Sequence, residues 1–105
     1  MFTTVSQTKA FIRTSNFWND AERDEFVNWI AQNPTAGDMI VGSDGLRKVR
    51  WARSGTGKSG GARVVTYYTS REGRVWLLVA YAKAKFDTLP TEFLVELRKE
   101  IDDAA

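Results

Sequence analysis

Residues 46–85 read LRKVRWARSGTGKSGGARVVTYYTSREGRVWLLVAYAKAK, a run in which strand patterns and basic residues coincide. Over 46–53 apolar and charged residues alternate. Val49 and Trp51 fall on one face and Lys48 and Arg50 on the other, the period of a half-buried strand. Four glycines within 54–62 (SGTGKSGGA) interrupt the pattern. β-Branched and aromatic residues then resume over 63–69 and again over 74–82, joined by a turn at 70–73. Three strands with such short connections read as an antiparallel meander.

Upstream, Asn19 or Asp20 can cap a helix that runs to Gln32, with Glu22 and Asp24 in its first turns and Phe26, Trp29 and Ile30 at helical spacing. Asn33-Pro34 ends it. Residues 2–5 suit a short strand, and Phe11 and Ile12 a short helical turn that begins at Thr8. Gly37 and the turn GSDG at 42–45 bracket a brief apolar piece, 39–41. Downstream, Thr91 is the expected N-cap of a last helix with Phe93, Leu94, Leu97 and Ile101 on one stripe, able to close over the sheet or over a partner. The whole chain, 1–105, reads as a single α+β domain: an antiparallel three- to four-stranded sheet, two N-terminal helices and a C-terminal helix. Its 105 residues, 43% hydrophobic with 13 aromatics, suffice for one core.

Charge is distributed unevenly. Residues 46–85 hold ten of the fifteen Lys and Arg and one carboxylate, Glu72, a balance of +9, whereas the rest carries five bases against twelve acids, or −7. The net +2 therefore hides a polarised molecule. A basic face built on strands points to a polyanion contact. Cysteine and histidine are both absent. That removes disulfides, thiolate metal sites and cysteine nucleophiles, and leaves a metal only scattered carboxylates, so neither metal nor cofactor is expected. The N-terminus has no secretory pattern, and the longest apolar run, 75–82, is far short of a membrane span. A cytoplasmic protein without membrane contact is the expectation.

Residues 52–59, ARSGTGKS, satisfy a loose form of the nucleotide-binding phosphate loop. A true loop of that kind opens a helix at its Lys-Ser, whose amides hold the phosphates. Here Gly60-Gly61 and a β-branched run follow, which suit a strand. What survives is a glycine-rich loop that brings Lys58 to a phosphate backbone. Lys48 and Arg50 project together, and Arg63 opens the neighbouring strand, so the three can reach one phosphodiester. A solvated outer face is the plain alternative. The scarcity of acids across forty residues argues against it. Among the aromatics of the meander, which could stack bases, Trp51 and Trp76 read as core, and Tyr81 at its strand end as the better candidate for a surface site.

Three segments, Gly45-Leu46-Arg47-Lys48-Val49-Arg50, then GKSGGARVVTYY at 57–68, then LLVAYAK at 77–83, together resemble the RelE/HigB superfamily of bacterial toxins, and within it the HigB-type branch with GLRK and GGxR signatures. The resemblance implies a small RelE-like domain and a ribosome-dependent mRNA endoribonuclease, or mRNA interferase, that inhibits translation. It also implies a type II toxin-antitoxin system, with a cognate antitoxin bearing a helix-turn-helix DNA-binding domain, and the ribosome and mRNA as further partners. The catalytic residues it implies are Lys48, Arg50, Arg63 and Lys83, with Tyr81 added by proximity; Arg47, Lys58 and Lys85 are RNA-binding candidates. The sequence departs from the founding RelE pattern at Ala84 and near Pro90, where that pattern has an Arg and a late Tyr. Cleavage without a metal needs the RNA's own 2′-OH to attack the adjacent phosphorus, helped by a base, an acid and cations. Positive neighbours favour the proton-accepting form of a lysine, which makes Lys48 the first choice for base. Arg50 and Arg63 would clamp the phosphate, and Lys83 or Tyr81 would serve the leaving oxygen. A non-catalytic RNA-binding module or inactive phage-derived relative on the same scaffold is the alternative reading, and a purely structural interaction domain is a third.

Overall fold

In the computed structural model, which describes residues 3–51, 61–82 and 89–104, local sequence signals set most element boundaries. Thr8 caps α1 (Lys9–Thr14) by accepting from the Phe11 amide, and a 3-10 turn follows at Ser15–Phe17. Asn19 opens α2 (Asp20–Gln32) with a reciprocal capping box: its Oδ1 accepts from Glu22 N at 2.8 Å, while Glu22 Oε1 accepts from Asn19 N at 3.2 Å. The last helix, α3 (Thr91–Ala104), begins one residue differently from expectation. The Pro90 carbonyl accepts from Phe93 and Leu94, so Pro90 holds the cap position and Thr91 is the first helical residue.

The strands are β1 (Thr4–Gln7), β2 (Asp38–Met39), β3 (Arg47–Trp51), β4 (Ala62–Thr69) and β5 (Arg74–Ala82). They form one five-stranded sheet in the order β1-β5-β4-β3-β2. The expected meander is its centre, with β3, β4 and β5 antiparallel. The expected three- to four-stranded antiparallel sheet is, however, extended into a mixed one, because the chain leaves β1 through the helices and β1 pairs parallel with the outer edge of β5. Past the end of β1 that edge is satisfied by hydroxyls. Thr8 Oγ1 donates to Leu78 O at 2.9 Å and Thr14 Oγ1 accepts from Ala80 N at 3.0 Å, which denies the edge to a foreign strand.

The sheet separates two apolar clusters. On one face Val49, Val64, Val75, Leu77 and Ala80 pack with Phe11, Trp18, Phe26 and Ile30 from the α1–α2 side, and Trp51 joins them edge-on to Phe26 at 5.2 Å between ring centroids. On the other face Leu46, Val65, Leu78, Val79 and Tyr81 pack with Leu94, Leu97 and Ile101 of α3. Phe93, expected on that stripe, is instead 39% exposed. Arg98 fastens α3 to β4, its guanidinium 4.2 Å from the Tyr67 ring centre and its Nη2 donating to the phenol at 3.2 Å.

One irregularity sets the faces of β5. Val65 pairs with Val79 but Thr66 pairs with Leu77, so Leu78 is an extra residue, a β-bulge. Leu78 and Val79 consequently both face α3, and the alternation restarts with Ala80 towards α1 and Tyr81 towards α3. Among the described residues no helix is long and apolar enough to cross a membrane.

Two glycines test the tight crossing of β3 by the chain that enters β2. Gly37 has φ +96°, and a Cβ there would lie 2.6 Å from the Lys48 carbonyl oxygen; Gly42 has φ +75° but open space around it. Gly42→Ala should cost about 1–2 kcal/mol, the backbone strain alone. Gly37→Ala should cost at least twice as much in denaturant unfolding, because backbone atoms cannot give way; equal costs would show that the close approach is not as described.

Candidate nucleic-acid interface

The register of the central strands brings distant residues into line. Arg50 pairs with Arg63, and Arg63 pairs with Tyr81. Directly opposed residues share a face with Cβ atoms about 4.5–5.5 Å apart, so these three form a row across β3, β4 and β5 on the α3 side of the sheet. The next row contains Asp38, Lys48, Val65 and Val79. Lys48 thus stands about 7 Å along β3 from Arg50, on the same face.

Electrostatically this arrangement is unfavourable without a ligand. Like charges placed directly opposite destabilise a sheet, and neither Arg50 nor Arg63 makes an ion pair among the described residues. Arg63 Nη1 donates to the Ala62 carbonyl at 3.3 Å, and Arg50 is exposed. Two guanidinium forks without a carboxylate, one row from an ammonium, suit a phosphate oxyanion.

Tyr81 departs from its expected place on the surface. It is 6% exposed, because the bulge turns it under α3 with Leu94 and Leu97. Burial raises the pKa of its phenol above the ordinary 10.0, an effect that the Arg63 charge partly offsets. The group therefore stays protonated at neutral pH.

Of the other candidates, Arg47 points to the opposite face, where its Nη1 donates to the Thr35 carbonyl at 3.0 Å. Lys58, Lys83 and Lys85 lie outside the described residues, as does the phosphate-loop lookalike at 52–59. The chain that follows the lookalike enters strand β4 and not a helix. Asp38 was not singled out by sequence reasoning: it stands opposite Lys48 only through the two-residue β2 pairing, which composition does not mark. Alternation from Val49 was the available signal for Arg47.

A small α+β domain with a five-stranded mixed sheet, α1 and α2 on one face, α3 on the other, and a cationic row at one end of the meander defines the structural class. The same fold is found in the E. coli toxin RelE, solved as a double arginine-to-alanine mutant in the free state: TM-score 0.57, 14% identity, 99% of this chain and 98% of that one covered. At that identity the likeness is one of fold. No family model matches the sequence.

The raised phenol pKa has a measurable consequence. Above pH 10.0 an unfolded tyrosine loses its proton before the folded Tyr81 does, so the native state binds more protons and stability falls as pH rises through that region. Tyr81→Phe removes this component. The variant should lose less stability than the parent between neutral pH and the alkaline limb, as read by urea unfolding at several pH values; parallel curves would contradict the burial of the phenol.

Proposed function

We propose that this protein is a metal-independent endoribonuclease that cuts mRNA on the ribosome, the toxin of a type II toxin-antitoxin pair. The observation that carries the reading is the row Arg50, Arg63 and Tyr81 with Lys48 beside it, on a fold shared over nearly its whole length with a RelE toxin. Arg50 and Arg63 hold the scissile phosphate and stabilise the charge that grows on its oxygens. The protonated phenol of Tyr81, or Lys83 beyond the end of β5, serves the leaving 5′-oxygen. Since Tyr81 keeps its proton, the acceptor of the 2′-OH proton is Lys48 or the Asp38 carboxylate opposite it. The 2′-oxygen attacks phosphorus, the P–O5′ bond breaks, and a 2′,3′-cyclic phosphate and a 5′-hydroxyl result. Arg47, Lys58 and Lys85 add charge along the RNA. With neither histidine nor cysteine in the sequence, the groups on hand are weak general catalysts on free RNA. Positioning of the message by the ribosome supplies what they lack. A helix-turn-helix antitoxin would neutralise the protein by covering the basic face with acidic or apolar segments, in the cytoplasm where translation occurs.

The burial of Tyr81 beneath α3 favours a second reading, a non-catalytic RNA-binding module on the same scaffold. Both readings give RNA affinity that falls with salt. Cleavage separates them. On programmed ribosomes the wild-type protein should cut the message, and Arg63→Ala should cut it at least about 10²-fold more slowly. Its melting temperature should hold or rise, because a like-charge pair is removed. Intact message with folded wild-type protein would support the binding module; full activity in the variant would refute the role of Arg63.

A further inference from the structure

We propose that the cleft beside the outer edge of β5 receives one unpaired RNA base, and that Asn16 and Arg13 determine which base is accepted. The inference rests on reading the adjoining row as a phosphate site. The cleft encloses about 680 Å³ between the 3-10 turn, the end of β5 and the start of α3. That falls within the usual ~300–1,000 Å³ of a small-ligand pocket. A base has two flat apolar faces and a polar edge, and the walls divide in the same way. Phe17 from the 3-10 turn and Leu89 and Phe93 from the α3 side supply apolar surface, on which a base can stack. Asn16 and Arg13 line the same cleft, both exposed, and neither side chain makes a hydrogen bond or ion pair among the described residues. An amide offers one donor edge and one acceptor edge, which is how single-stranded bases are read, and a guanidinium matches acceptor pairs. The partial exposure of Phe93, anomalous for its helical stripe, becomes intelligible as a wall of this cleft.

Continuity with the row selects RNA over other occupants. Tyr81 belongs both to the cleft lining and to the row with Arg63. A nucleotide whose phosphate rests on Arg63 can therefore turn its base past Tyr81 into the cleft. An apolar peptide side chain would fill the same walls but leave Arg13 and Asn16 without partners.

Isotope-labelled full-length protein titrated with oligo(A), oligo(C), oligo(G) and oligo(U) tetraribonucleotides tests this. One oligonucleotide should bind about tenfold more tightly than the weakest, the discrimination that one well-paired base contact gives. Its base protons should show nuclear Overhauser contacts to Phe17 and Phe93. Asn16→Ala and Arg13→Ala, both surface changes, should shrink the preference towards uniform binding. Equal affinities, a preference untouched in both variants, or base protons without contacts to Phe17 and Phe93 would overturn the base cleft. Binding that is lost in Arg63→Ala yet shows no base preference removes the cleft and leaves the phosphate row standing. Failure of all four oligonucleotides to bind removes both.

Discussion

The extra residue at Leu78 in the β4–β5 ladder constrains which layer each side chain of β5 meets. Strand side chains alternate with period 2, so a bulge of one residue exchanges the two faces for everything beyond it. Before it, Trp76 faces α3 and Leu77 faces the α1–α2 core; after it, Ala80 faces that core and Tyr81 faces α3. Without the bulge Tyr81 would lie on the α1–α2 side, and the small Ala80 would sit under α3. The bulge thus brings Tyr81 to the same face as Arg63 and Arg50, and gives α3 two adjacent apolar anchors, Leu78 and Val79.

Around that constraint the protein divides stability from chemistry. The β4–β5 pair runs through eight matched positions and supplies half of the buried residues of each core. Thr8 and Thr14 close its outer edge, and Arg98 on Tyr67 holds α3 in place. Against this rigid frame the opposed Arg50 and Arg63 are a local conflict, a like-charge pairing with no ion-pair partner among the described residues. Conflicts of that kind mark functional positions in sequences that are otherwise consistent from level to level.

Much of this was legible from the residues. Alternation at Val49 and Trp51 marked the face of Lys48 and Arg50, the apolar run of 75–82 marked β5, and Asn19 or Asp20 marked the start of α2. The reasons for the rest are physical. In RVWLLVAYA nearly every residue is apolar, so the sequence carries no phase and the bulge leaves no mark; only the strand-end position of Tyr81 beside Lys83 bears on its face, and it suggests the surface. The parallel partner of β1 and the two-residue β2 are long-range pairings with weak local signatures, which is why five strands appeared where three or four were expected, and why Asp38 opposite Lys48 went unnoticed. Arg47 is an RNA-binding candidate by residue type, although the alternation that places Val49 also places Arg47 with it.

In the proposed reaction the row directs a 2′-OH of the message at its own phosphodiester, with protein side chains alone moving the proton. The chemistry of the cut ends reports that reaction. Messages on programmed ribosomes treated with purified protein in excess chelator should end in a 2′,3′-cyclic phosphate on one fragment and a 5′-hydroxyl on the other. Fragments with 3′-hydroxyl and 5′-phosphate ends, or cleavage abolished by the chelator under conditions that leave the ribosomes intact, would contradict it.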